Sequence, residues 1–333
     1  MKRFTTLIAL LSVLLATMAQ RPLVTLSHNG ELSFFSNLSA LEEALDSAQN
    51  GDIIYLSEGK FAATSTNIKI DKRLSIIGCG YKSHILPNIT IDMSKNPNSY
   101  MEAPLFDGVR LPSVYFEDEQ LSRDNLKEVE IRKTWIETFE NIGYGGNNVL
   151  IDKCLIEKAC FQGARDNITT IQNSKIKLIP RYYVSSNVNP IFAVTVINCN
   201  IAQTYYIPLT TISSILAEGQ KTESSYLHTY YNPVTTHKIF NSIIKPSFAN
   251  NIVPTLKECY EVNNDILDEN LESTIDLAEK GYFGEDGTVV GVYGGEFPFS
   301  ENPSVPTVDS ANSKVEYDAE NNKLNVTISV TPN

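Results

Sequence analysis

Little in this chain is suited to metal or redox chemistry. Five cysteines are scattered through 333 residues without a Cys-x-x-Cys pair. The four histidines (His28, His84, His228, His237) are far apart in sequence, so a zinc site is not expected. No cofactor is implied either, because a P-loop, a Rossmann fingerprint and a nucleophile elbow are all missing. Basic residues are scarce, 27 against 39 acidic, for a net charge of −12. Charge-driven binding to nucleic acid or to an anionic membrane needs basic patches, so neither is expected as a partner. Also missing is any apolar run long enough to cross a bilayer of about 30 Å.

The one notable apolar run is short and sits at the start. Lys2 and Arg3 precede Leu7 to Ala16, and Thr17-Met18-Ala19 follows, the order of a secretory signal over residues 1–19. Cleavage after Ala19 would leave 314 residues (333 − 19) with 25 basic side chains (27 − 2) against 39 acidic, a net of −14. The expected location is exported: periplasmic, cell-surface or extracellular. An odd number of cysteines (Cys79, Cys154, Cys160, Cys199, Cys259) leaves at least one without a partner inside the chain.

Against these absences stands a repeat. Five segments share one phrase: apolar, any, Asn or Lys, small, any, Ile. They are Ile131 to Ile136, Ile151 to Ile156, Ile171 to Ile176, Val196 to Ile201 and Ile239 to Ile244, with starts 20, 20, 25 and 43 residues apart. Such a period fits one coil of a solenoid. In the third copy Ile171, Ser174 and Ile176 point inward, and Gln172 and Lys175 outward, only if the chain bends at Asn173. Strict alternation would split these apolar residues between two faces. Asn tolerates the left-handed backbone that such a bend needs; Lys133 and Lys153, in the same place, tolerate it less well. Stacked coils would then align Thr134, Cys154, Ser174, Cys199 and Ser242 as a file of small interior side chains. Cys154 and Cys199, two coils apart, would lie too far from each other for a disulfide and are expected as buried thiols. Asn173 and Asn198 are expected to form a hydrogen-bonded amide ladder.

Upstream, Ser39-Ala-Leu-Glu42 has the spacing of a capping box, and Leu41, Ala44, Leu45 and Ala48 give a short amphipathic helix. Asp52 to Leu56 and Leu74 to Ile77 read as strands, the second ending at Gly78-Cys79-Gly80. The stretch from Ser39 to Gly80 resembles the entry into the right-handed parallel β-helix of the pectin-lyase-like superfamily. There, a capping helix precedes a GD-x-I-x-L-x-x-G-x-[YF] coil and then an L-x-I-x-G coil. The resemblance continues more loosely through Ile244. It implies an all-β, right-handed parallel β-helix solenoid with an N-terminal capping helix and an irregular C-terminal cover. The expected layout is a signal peptide (1–19), an N-terminal cap (20–50), coils (51–250) and a C-terminal coil with covering tail (251–333). That tail carries Asp286-Gly-Thr288, Gly291-Val-Tyr-Gly-Gly295, a Pro-spaced stretch (Pro298, Pro303, Pro306) and an alternating strand from Lys323 to Val330. It resembles tails of exported bacterial β-helix proteins; a small separate β-domain is the alternative.

Catalytic signals are weak. The Asn-Thr-Asp, Asp-Asp, Gly-His-Gly and Arg-Ile-Lys motifs of polygalacturonase-like hydrolases do not occur. Trp135-Ile-Glu137-Thr138 is similar to the Trp-Ile-Asp-His element of pectate-lyase-like enzymes, but Glu and Thr replace the Asp and His. The plain alternative makes Trp135 an outward coil-edge residue. The densest local charge is Asp152 and Lys153 with Arg165 and Asp166, a patch able to hold a uronic acid or to sit solvated in turns. Three tyrosine pairs, Tyr182-Tyr183, Tyr205-Tyr206 and Tyr230-Tyr231, would lie near one edge if the coils stack. They would offer flat apolar faces with polar tips to a sugar, or simply pack over the loops. The expected function is an exported, glycan-associated binding or surface protein, with a polysaccharide or other glycan as partner. A lyase or glycoside hydrolase with an unfamiliar site, and a structural or adhesive surface protein, are the alternatives.

Overall fold

The computed structural model describes residues 22–92, 105–116, 127–143, 147–163, 167–179, 192–205, 211–216, 220–222, 238–249, 255–256, 260–261, 266–305, 307–308, 314–318, 323–327 and 329–331. They form a parallel β-solenoid whose regular part makes about four turns. Its register follows the repeat. Ile131, Ile151, Ile171, Val196 and Ile239 stack in that order, as do Ile136, Ile156, Ile176, Ile201 and Ile244. All ten side chains are buried.

The bend between the two columns lies at the third residue of the phrase in every copy. Lys133, Lys153, Asn173, Asn198 and Asn241 have φ of 47°, 55°, 47°, 51° and 48°, all in the left-handed region. A sixth copy, absent from the sequence reading, precedes them. Phe106 stacks on Ile131 and Leu111 on Ile136, with Gly108 at φ 65° between them. Gly at the bend and Val109 at the small position disguise it.

The interior file forms as expected. Thr134, Cys154, Ser174, Cys199 and Ser242 are fully buried. Each hydroxyl or thiol donates to the carbonyl two residues earlier, Ser174 to Gln172 at 2.6 Å and Cys154 to Asp152 at 3.3 Å. Ser174 and Ser242 also accept the backbone N–H of Cys154 and Cys199 from the neighbouring coil. The bend thus leaves few backbone groups unpaired, which matters in a dry interior. Both cysteines are free thiols. Burial pushes the Cys154 thiol well above its ordinary range and the Cys199 thiol up to about 12.

The amide ladder does not close. Asn173 turns its Nδ2 to Asp152 Oδ1 at 3.2 Å, and the Oδ1 atoms of Asn173 and Asn198 accept no hydrogen bond from described residues. The 43-residue spacing also has a structural origin. Lys238–Ala249 pairs with Phe192–Ile197 and Asn200–Tyr205 on one side, and with Thr211–Leu216 and Gln220–Thr222 on the other. Stacking order therefore departs from chain order there.

At the N-terminal end, β1 (Val24–His28) runs antiparallel to both β2 (Glu31–Phe35) and β3 (Ile53–Leu56), a hairpin the repeat does not foretell. Helix α1 (Ala40–Ser47) buries Ala40, Leu41 and Ala44. The capping box is not formed. Ser39 makes no side-chain cap, and the Glu42 carboxylate accepts from Thr64 and Ser65, in the loop between the strands Gly59–Phe61 and Asn67–Ile70, instead. Three donors on that loop outcompete one backbone N–H.

Residues 266–305 lie along the bends. From 284 onward they pass from the Asn241 coil back to the Asp107 coil: Glu285 N–H donates to Asn241, Val292 N–H to Asn200, and Ser304 Oγ to Asp107. Gly284, Gly291 and Gly295 sit directly against the Asn241, Asn200 and Asn198 side chains, where a Cβ would overlap them. This strap explains Lys175, which points outward as its position in the phrase requires yet is only 3% exposed. Its ammonium pairs with Glu272 and lies 4.6 Å from the Phe299 ring centroid. Beyond the strap, Lys314–Asp318 pairs with Lys323–Thr327, and Thr307–Val308 with Val330–Thr331, both antiparallel.

Candidate functional site

Parallel stacking turns residues about two dozen places apart into neighbours about 4.8 Å apart. On the strand that follows the bend this places Lys60, His84, Arg110 and Trp135 in one outward row. The inward neighbours Phe61, Ile85, Leu111 and Ile136 hold it to the core. The row is basic for three positions and then aromatic.

Its centre is a stack. The Arg110 guanidinium carbon lies 4.0 Å from the Trp135 ring centroid. Arg110 Nη2 also donates to Glu137 at 2.7 Å, with Arg110 30% and Glu137 41% exposed. Tyr81, on the short 3₁₀ turn Gly80–Lys82, meets the same indole edge-on, with ring centroids 5.7 Å apart and planes at 74°. A cation over an indole is favourable because the ring face is electron-rich, and the second aromatic fixes the indole plane. Pro303 of the strap packs beside Gly80, so the strap borders this site.

Three polar atoms here are buried without a hydrogen-bond partner among the described residues: Arg110 Nε, Trp135 Nε1 and Tyr81 Oη. Burial pushes the Tyr81 hydroxyl far above the usual tyrosine range, so it stays protonated and able to donate. Burial, with Arg110 and Lys60 beside it, holds His84 below the usual imidazole range, and Glu137 opposes this only in part. The local field is therefore positive, against the negative balance of the whole chain.

The residues singled out from sequence fare unevenly. Trp135 and Glu137 belong to this site. Asp152 is buried and accepts from Gln172 Nε2 and Asn173 Nδ2, both at 3.2 Å. Lys153 points its ammonium to the Phe297 ring of the strap, 5.8 Å from the centroid. Arg165, Asp166, Tyr182, Tyr183, Tyr206, Tyr230 and Tyr231 lie outside the described residues. Tyr205 ends its strand opposite Ser247. Lys60, Tyr81, His84 and Arg110 were not anticipated; the signal that would have found Arg110 is the disguised copy Phe106 to Leu111.

No group of three or more His, Cys, Asp or Glu among the described residues is arranged to hold a metal ion, and no described helix is long and apolar enough to cross a membrane. The chain matches no protein-family model, no curated protein and no solved structure.

Proposed function

We propose that this chain is an exported glycan-binding protein on a right-handed parallel β-helix of the pectin-lyase-like kind. Its ligand lies across the row that runs from Lys60 to Trp135. The observation that carries this reading is the Arg110–Trp135–Tyr81 stack on the outside of a rigid parallel sheet. Flat aromatic faces bordered by a few polar groups suit amphipathic sugar rings, and a sheet scaffold fixes their spacing without ordering a loop on binding. The entry-coil resemblance over Ser39 to Gly80 and the leader-like residues 1–19 support the fold type and the export. The interior thiols and the strap fall outside this role and serve packing.

The test is binding of the purified chain to an array of plant, algal and bacterial polysaccharides. Retention of some polymers, lost in W135A with the melting temperature preserved, is the expected result. No retention by any polymer, or retention indifferent to W135A, would overturn the reading. Release of new reducing or unsaturated sugar ends would replace binding by hydrolysis or lyase chemistry.

A further inference from the structure

Five of the ten exposed large apolar side chains among the described residues lie between residues 23 and 55, at the N-terminal end. Two of them, Leu32 and Phe34, share one face of β2 and are 55% and 64% exposed. Single exposed leucines need no explanation, but a cluster marks a contact surface.

The backbone says what kind of contact. β2 pairs with β1 and with no other described strand, so it closes the long sheet at this end. The hairpin turns between His28 and Glu31 through Asn29-Gly30, at φ 49° and 86°. Such a two-residue loop makes its closing pair a hydrogen-bonded one, and hydrogen-bonded pairs then alternate along the ladder. Glu31, Ser33 and Phe35 therefore turn their N–H and C=O groups to β1. Leu32 and Phe34 turn theirs to the open edge. The usual guards of an edge strand, lysine, proline or a bulge, are missing from Glu31–Phe35.

A strand that fits this edge needs apolar residues two apart with outward backbone groups, and β2 itself has them. Two copies run antiparallel about a two-fold axis at Ser33 place Leu32 of each opposite Phe34 of the other. Both pairs are hydrogen-bonded, and an aliphatic–aromatic cross-strand pair is a favourable one. Charge permits the approach although the chain carries a net −12. Glu31, the only charged residue of β2, falls opposite Phe35. The two Glu31 residues stand roughly 14 Å apart along the strands, beyond a Debye length of about 8 Å. An edge of five residues buries less than the ~1,200 Å² of a standard interface, so the dimer it makes is reversible.

We infer that β2 is a self-association edge, through which two copies of this chain join antiparallel and the sheet of one solenoid continues into the other.

The test is sedimentation equilibrium of the purified chain, from sub-micromolar to the highest soluble concentration. A reversible monomer–dimer equilibrium is expected. F34E and L32E each put a charge opposite an apolar partner and should weaken it about tenfold or more, with the melting temperature preserved. Register is read by cross-linking. Ser33 meets Ser33 in a non-hydrogen-bonded pair, Cα atoms about 4.5 Å apart, within reach of a disulfide. S33C should therefore form a disulfide-linked dimer under mild oxidation. E31C, which would face Phe35, should not, and the unaltered chain treated alike reports linkage through its own thiols.

A chain that stays monomeric at every concentration would overturn the inference, even if it captured an extended segment of another protein. A dimer indifferent to both F34E and L32E would place association elsewhere and overturn it as well. Equal cross-linking of S33C and E31C, or none of S33C, would refute the antiparallel pairing about Ser33.

Discussion

Two strap glycines share a backbone conformation and differ in their surroundings, which makes the docking of the strap measurable. Gly287 has φ 75° with nothing near the place of a Cβ. Gly295 has φ 76°, but a Cβ there would overlap the Asn198 amide, itself only 6% exposed. Alanine in the left-handed region costs about 1 kcal/mol relative to glycine, and both variants bear that cost. G295A alone adds overpacking of a buried side chain, typically about 1–3 kcal/mol. The expected destabilisation of the docked strap is then about 1 kcal/mol for G287A and roughly 2–4 kcal/mol for G295A. Limited proteolysis reads this directly: when reclosing outpaces cleavage, the rate tracks the open population. Cleavage within residues 266–305 should rise about fivefold in G287A and ~30-fold or more in G295A. Replacing Asn198 by Gly suits its φ of 51° and removes the overlapping amide. In that background G295A should shrink to the size of G287A. Equal effects of the two alanines, or an undiminished effect of G295A beside N198G, would refute the packing of the strap on the asparagine file.

Ser174→Ala leaves the Cys154 N–H and the Gln172 carbonyl without their hydroxyl partner and should cost about 1–3 kcal/mol in urea unfolding; C154S should cost little, because serine already occupies that file at 174 and 242. Thiol reagents should leave Cys154 and Cys199 unmodified in the native chain and modify both on unfolding; modification of either without unfolding would contradict their burial. Lys153→Asn relieves a lysine held at φ 55° and should stabilise by about 0.5–1 kcal/mol, exceeding the cation–π contact with Phe297, which at 5.8 Å is at the outer limit of such contacts. Asp107 is raised above the ordinary carboxylate range by burial, against a hydrogen bond from Ser304 and the nearby cations Lys133 and Arg132. The folded state therefore holds that proton more tightly than the unfolded one. Its contribution to stability is complete below the unfolded value and is lost as pH rises through the raised folded value. Relative to D107N, which keeps an acceptor for Ser304, the wild type should lose stability across that window; a relative gain would reverse the assigned sign.

What was legible in the sequence is what the fold repeats. Position three of the phrase must take the left-handed region whatever the coil, and position four must be small enough to lie inside a bend. Five copies are visible because Asn or Lys at position three and Ser, Thr or Cys at position four recur together. Copy six lacks the pattern because Gly108 meets the bend requirement more easily than Asn, and Val109 replaces a small polar residue with a small apolar one. The capping box failed for a different reason. Its spacing is correct, but Glu42 faces a loop that offers it two backbone N–H groups and a hydroxyl, and no local pattern announces a loop more than twenty residues away.

Outward positions carry no such repetition, and the candidate site lies there. Lys60, His84, Arg110 and Trp135 are 24, 26 and 25 residues apart by their numbers, close to one coil each, yet four different side chains give no periodic signal. They become a row only once the inward isoleucines fix the register. The strap follows the same logic in reverse. Gly284, Gly291 and Gly295 look like ordinary turn glycines, but each lies where an outward asparagine of the solenoid comes closest, and a larger residue would lift the strap from its seat. Interior side chains therefore specify the scaffold through period, while the exterior specifies ligand and cover through pairs of residues that meet once. A substitution inside the file should disturb folding without altering ligand preference, and one in the Lys60–Trp135 row should do the opposite. The contrast between S174A and W135F separates these two kinds of information in one protein.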